Sequence, residues 1–151
     1  MINMMKNRKT AIFLSWSFTL ICMIIIFCFS NQTATDSSET SGGLIKLISE
    51  LFGVELSSLI IRKSAHAIEF GGLCFAFNFS YFASYLKFCP LLSLISTVFY
   101  ATSDEIHQYF VDGRACQVRD VFIDFCGALI ITVVISVIYF VYIKIKSKRE
   151  V

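Results

Sequence analysis

Residues 125–143 read FCGALIITVVISVIYFVYI, nineteen residues without a charged side chain. A transmembrane helix needs about 20 predominantly apolar residues, so this stretch alone predicts a membrane span. Residues 10–35 form an uncharged stretch of 26 residues and predict another. Hydrophobic residues make up 56% of the 151-residue chain and charged residues 16%, and a soluble domain of this size could not bury so much apolar surface. We therefore expect an all-α membrane protein.

Two shorter uncharged stretches, residues 70–86 and 88–103, lie between the long ones. With 17 and 16 residues, each must draw flanking polar residues into the membrane edge in order to span. The N-terminal apolar run is longer than the about 7–15 residues of a signal-peptide core, so we expect a retained anchor. The composition thus predicts a single domain, residues 1–151, with four transmembrane helices. The expected spans lie at about residues 10–30, 66–86, 89–107 and 121–143.

The basic residues predict the orientation of these spans. Four spans place both termini and the turn at Lys87 on one side, which carries eight basic residues and one acidic residue. The rest of the chain carries five basic and ten acidic residues. The positive-inside rule places both termini in the cytoplasm and the two longer loops outside.

The first outward loop divides into two parts. Residues 30–43 are rich in Ser, Thr and Gly and predict an exposed linker. In residues 44–60 the apolar side chains recur at helical spacing, with a break near Gly53. This pattern predicts an amphipathic helix on the outer leaflet, although a helix that merely covers the bundle would show the same pattern.

Polar residues gather at the outer ends of the second, third and fourth spans. Arg62, His66 and Glu69 fall within about 60° on one helical stripe. In the third span Asp104, His107 and Gln108 share a face and Glu105 is expected to point elsewhere, while Asp120 and Asp124 line up at i, i+4 in the fourth. Ionisable residues inside a span are costly and usually mark a functional site, and both histidines of the chain lie here. The candidate ligand-binding residues are Arg62, Lys63, His66, Glu69, Asp104, Glu105, His107, Gln108, Arg114, Arg119, Asp120 and Asp124.

This cluster has other interpretations. An ion-pair network, for example Arg62 with Asp124, could simply fix the helix register. Zinc or manganese ligands are present, but neither a His-x-x-x-His nor a Cys-x-x-Cys spacing occurs and nearby arginines would repel a cation, so we expect no metal and no cofactor. Transport is disfavoured because proton relays need ionisable groups through the full membrane depth. No pattern indicates nucleic-acid binding.

Two strings, RKSAHAIEFGGL at residues 62–73 and SDEIHQYFVDGRACQVRDVFIDFCGALI at residues 103–130, resemble the signature of the VanZ-like family. Ser30-Asn31-Gln32 resembles the polar step after the first helix of that family. The matched positions run from Ser30 to about Ile130. The departures are Asp112, where Pro is common before the Gly, and Asp124 instead of Asn at the polar position of the fourth helix. The resemblance implies a small four-helix protein of the bacterial plasma membrane and a link to reduced susceptibility to teicoplanin-type glycopeptide antibiotics.

Two functions remain open for the outward cluster. The first is binding of a membrane lipid, a lipid-linked cell-wall precursor or a lipophilic glycopeptide. The second is an enzyme that hydrolyses or modifies a phosphorylated or peptide-bearing lipid head group, in which arginines bind the oxyanions and His66 or His107 acts as base or nucleophile. Glu69, Asp104 and Asp124 are the candidate orienting carboxylates. Pairing of the chain with itself is left open.

Overall fold

The computed structural model describes residues 2–53 and 57–149. The described residues form α-helices and connecting turns, in agreement with the all-α prediction. The helices are α1 (Ile2–Ser30), α2 (Ala34–Phe52), α3 (Ser58–Tyr85), α4 (Pro90–Gln108) and α5 (Val118–Arg149).

Helices α1, α3, α4 and α5 pack as a bundle in which α3 contacts each of the other three. Their directions alternate, as contacts at the two ends of the bundle show. At one end Arg8, near the start of α1, donates a hydrogen bond to the carbonyl oxygen of Ser84, near the end of α3, at 2.8 Å. At the other end the Arg114 guanidinium reaches the carbonyl oxygen of Phe29 at 3.3 Å. The loop between α4 and α5 therefore lies beside the end of α1.

Two glycines allow α3 and α5 to approach closely. A β-carbon placed on Gly127 of α5 would clash with the backbone carbonyl of Ala67 in α3. On the facing side, a β-carbon on Gly71 would lie 3.3 Å from the carbonyl oxygen of Gly127 and 3.1 Å from Cγ1 of Ile131. Small residues at a crossing let helix backbones meet in this way. The crossing brings His66 and Asp124, each within one turn of it, to the same end of the bundle.

The interior of the bundle combines an apolar core, which includes Phe70 and Leu73, with hydroxyl groups, and many large apolar side chains face outward. Between helices, Thr19 Oγ1 lies 2.9 Å from Ser80 Oγ, and the Tyr100 hydroxyl donates to the carbonyl oxygen of Met23 at 2.6 Å. By contrast Phe99 is 74% exposed. Of the helices in the described part of the chain, two are long and apolar enough to cross a membrane, residues 7–30 of α1 and α5. Charged and amide side chains, among them Glu69 and Asn78 of α3 and Asp104 and Glu105 of α4, lower the mean hydropathy of these two helices.

The prediction of an exposed linker at residues 30–43 is wrong for most of that segment, because α2 begins at Ala34. Thr33 caps the helix by accepting a hydrogen bond from the Asp36 amide at 3.2 Å. Hydroxyls that the composition assigned to a loop instead bond to carbonyl oxygens one turn back, as Ser41 does to Ser37 at 2.8 Å. Ser37 and Ser41 are buried.

The expected amphipathic helix over residues 44–60 is also revised. Helix α2 ends at Phe52, and Gly53 adopts the left-handed conformation with φ 64°, which glycine tolerates. The break near Gly53 is thus confirmed, but Leu59 and Ile60 belong to the first turn of α3. Residues 54–56 of the expected helix lie outside the described residues.

Candidate functional site

Two adjoining cavities lie at the end of the bundle where α1 and α4 end and α5 begins. The first, of about 160 Å³, opens between the start of α3, the α4–α5 loop and the start of α5. The second, of about 330 Å³, opens between the end of α1, α2 and α3. Arg62, His66 and Arg114 line both cavities. The structure thus places these three predicted residues together at the wall that the cavities share.

Arg62 and Arg114 are the cationic groups at that wall. Among residues 2–53 and 57–149, neither guanidinium forms an ion pair, and the described partner of Arg114 is the Phe29 carbonyl oxygen. Burial, together with the charge of Arg62, lowers the pKa of the Arg114 guanidinium from its ordinary value. Arginine nevertheless remains protonated in proteins. The two cavities therefore share positive charge that carboxylates of the described residues do not neutralise by direct contact.

Lys63 and Arg119 also line the first cavity, but a carboxylate holds them. The Lys63 ammonium contacts Oδ1 of Asp120, and Nε of Arg119 lies 3.9 Å from the same oxygen. Arg119 in addition donates to the side-chain oxygen of Gln117 at 3.3 Å. Asp120 thus ties the start of α5 to the start of α3.

His66 faces a buried carboxylate on the neighbouring helix. Its Nδ1 lies 3.8 Å from Oδ1 of Asp124, and Asp124 is 1% exposed. Neither this nitrogen nor either carboxylate oxygen of Asp124 has a hydrogen-bond partner among the described residues. Buried polar atoms without a partner are uncommon, and each requires a physical reason. His66 therefore lies at the wall of both cavities, while Asp124 is buried behind it and lines neither cavity.

Glu105 is the predicted residue whose position the sequence assigned incorrectly. It does not point away from the cluster: it is 1% exposed, and its Oε2 accepts a hydrogen bond from the Gln117 amide at 3.0 Å. The α4–α5 loop folds back over that face of α4, which helical periodicity could not reveal. Glu105 thereby anchors the loop that carries Arg114.

The remaining predicted residues lie deeper or to one side. Asp104 and Gln108 are buried and joined by a hydrogen bond of 2.8 Å, with Gln108 also lining the first cavity. Glu69 lines the second cavity. The His107 ring instead packs on Phe27, with ring centroids 4.7 Å apart, and lines neither of these two cavities.

Polar residues of α2 and of the turn before it complete the second cavity and were missed by the sequence reasoning. They are Gln32, Ser37, Thr40 and Ser41. The spacing of Ser37 and Ser41 at i, i+4 was a usable signal, since it puts both hydroxyls on one helical face. The Ser- and Thr-rich composition obscured it by predicting a linker.

The cationic groups of this arrangement are suited to anions. In the part of the chain that the structure describes, no three His, Cys, Asp or Glu side chains form a group that could hold a metal ion. The guanidinium groups of Arg62 and Arg114 are by contrast donors without an ion pair among the described residues, and arginine donates in a geometry that matches phosphate and carboxylate. The site can therefore bind an oxyanion beside an imidazole.

Comparison with known proteins identifies the family of the chain. No curated protein and no solved structure matches the chain. The family model described as VanZ/LLP1 matches residues 15–140, a range that includes α2, α3 and α4 entirely and every residue of both cavities. With its helical fold and two helices able to cross a membrane, the chain belongs to the VanZ/LLP1 family.

Proposed function

We propose that this protein binds the phosphorylated head group of a lipid-linked cell-wall precursor at the outer leaflet of the bacterial plasma membrane. Binding of the precursor to the protein changes the access of teicoplanin-type antibiotics to their target, and susceptibility to these antibiotics falls. In this proposal α1, α3, α4 and α5 all span the membrane, with both termini in the cytoplasm. The cavities then open outward.

The outer surfaces of α3 and α4 support four spans. Phe75 and Phe79 of α3 and Leu91 and Phe99 of α4 are more than half exposed, and large apolar patches of this kind mark contact with lipid or another protein. The alternating helix directions put Arg8 and the basic end of α5 at one end of the bundle. This arrangement follows the positive-inside rule.

The observation that carries the proposal is the pair of guanidinium groups, Arg62 and Arg114, that line both cavities without an ion pair among the described residues. A half-buried cation without an ion-pair partner in contact is unfavourable, and a phosphate oxyanion would supply that partner. Hydrogen bonds between charged partners contribute about 1.5–3 kcal/mol each.

The second cavity fits the part of a head group beyond the phosphate. Its wall combines the hydroxyls of Ser37, Thr40 and Ser41 with the apolar Phe29 and Ile61. Leu47 and Leu51 of α2 are more than half exposed, which suits a helix lying in the leaflet next to the lipid.

Antibiotic susceptibility tests this function in cells. The minimum inhibitory concentration of teicoplanin is measured for a bacterium expressing the wild-type protein, Arg62→Ala, Arg114→Ala or Lys46→Ala at equal membrane levels. Lys46 is an exposed α2 residue outside both cavities. Lys46→Ala therefore removes one positive charge, as the arginine variants do, without changing either cavity. Protection by wild type and Lys46→Ala, but not by the arginine variants, is expected. Equal protection by all four proteins would exclude the cavities as the origin of the phenotype.

A further inference from the structure

We propose that the same anion site also hydrolyses an unsubstituted lipid diphosphate, with His66 as general base for attack of water on its terminal phosphate. This inference rests on the proposed function, because the same arginines must first bind the phosphates. It adds a reaction to a site so far described only as a binding site.

The position of His66 carries the inference. Its ring lines both cavities, while Nδ1 is the nitrogen that lies 3.8 Å from Oδ1 of Asp124. The two nitrogens lie on different edges of an imidazole, so Nε2 is left on the side of the ring away from Asp124. Catalytic hydrogen bonds are often long before substrate binds and shorten in the complex. When the 3.8 Å separation shortens in the complex, Asp124 becomes a positioning residue that accepts a hydrogen bond from Nδ1 and leaves the lone pair of Nε2 for the cavity.

The unpartnered atoms fit a catalytic pair better than a structural one. A carboxylate that served only to fix helix register would be expected to have its oxygens bonded, whereas both oxygens of Asp124 lack a partner among the described residues. His107 does not offer the same arrangement, because its ring packs on Phe27 and lines neither cavity. Of the two histidines, His66 is therefore the base.

The step balances without a further reactant. Nε2 of His66 removes one proton from a water molecule as the water oxygen forms a bond to the terminal phosphorus. The bond between that phosphorus and the bridging oxygen breaks, and its electron pair stays on the bridging oxygen. The products are the lipid monophosphate and inorganic phosphate, and the proton on His66 returns to solvent. Arg62 and Arg114 stabilise the charge that develops on the phosphoryl oxygens.

The test uses the full-length protein in lipid nanodiscs with farnesyl diphosphate as probe, in water enriched in ¹⁸O. Release of inorganic phosphate carrying one ¹⁸O atom is expected, above the background of empty nanodiscs. His66→Ala is expected to lower kcat by roughly 100-fold or more and to recover part of it when imidazole is added. Asp124→Asn should lower kcat with little change in KM. Imidazole rescue and a kcat-specific loss would not arise from a purely structural role.

Binding of the methylene-bridged diphosphonate analogue, which cannot be hydrolysed, separates the two proposals. If wild type and His66→Ala bind the analogue and only wild type releases phosphate, the hydrolysis is supported. If the analogue binds but wild type releases no phosphate, or His66→Ala is as active as wild type, the hydrolysis is refuted and the binding function stands. Release of diphosphate with ¹⁸O in the alcohol also refutes attack at phosphorus. If the analogue does not bind, both proposals fail.

Discussion

Replacement of Gly127 by alanine should destabilise the bundle and separate the two halves of the site. The new β-carbon would clash with the Ala67 carbonyl, which is backbone and cannot rotate away, so α3 and α5 must move apart. Overpacking of a well-packed contact costs about 1–3 kcal/mol, while alanine gains about 1 kcal/mol over glycine in helix propensity. We expect a net loss of roughly 1–2 kcal/mol in the free energy of unfolding, since the obstacle is backbone.

Two other glycines supply a matched series for this measurement. A β-carbon placed on Gly72 would have nothing within 4 Å, so Gly72→Ala should be neutral or stabilising. A β-carbon on Gly71 would lie 3.3 Å from a facing carbonyl oxygen, so Gly71→Ala should have a stability between those of Gly127→Ala and Gly72→Ala. A change of 1 kcal/mol shifts Tm by about 2–4 °C for a chain of this length, which thermal unfolding in detergent micelles can resolve. If Gly127→Ala has the same Tm as Gly72→Ala, the close crossing of α3 and α5 is refuted.

Three further outcomes follow from individual contacts. Asp120→Ala releases Lys63 and Arg119 from their shared carboxylate, so the diphosphonate analogue should bind several-fold more tightly at low salt, and weaker binding would contradict the anion site. Thr19→Val removes the hydroxyl bond to Ser80 and should cost about 0.6 kcal/mol in unfolding free energy, whereas an unchanged Tm would mean that the bond contributes nothing. Cys116 is exposed in the α4–α5 loop, so a variant with Cys116 as its sole cysteine should react with a membrane-impermeant maleimide on intact cells. Labelling that occurs only after lysis would show the opposite orientation.

The sequence was sufficient for the helical class and for much of the site because those features depend on local patterns. Long uncharged runs require helices in lipid, and the stripe of Arg62, His66 and Glu69 follows from the helical period alone. The convergence of Arg62 with Arg114 also followed, in coarse form, from the alternating order of the spans.

The parts that the sequence did not reveal depend on tertiary contacts. Glu105 is buried because the α4–α5 loop folds back so that the Gln117 amide can reach its carboxylate, and no periodicity encodes that fold. Helix α2 begins ten residues earlier than expected because Thr33 caps it and its hydroxyls bond to the helix backbone, although the same residues usually favour turns. His107 shares a face with Asp104 by spacing, yet Phe27 of α1 occupies the space beside its ring.

Equilibrium binding of the diphosphonate analogue to the purified protein in nanodiscs tests the anion site most directly. We expect saturable binding to the wild-type protein and to Lys46→Ala. Loss of one charged hydrogen-bond partner costs about 1.5–3 kcal/mol, so Arg62→Ala and Arg114→Ala should each weaken binding by roughly tenfold or more. Wild-type affinity in both arginine variants, with Tm unchanged, would show that the shared wall of the two cavities is not an anion site.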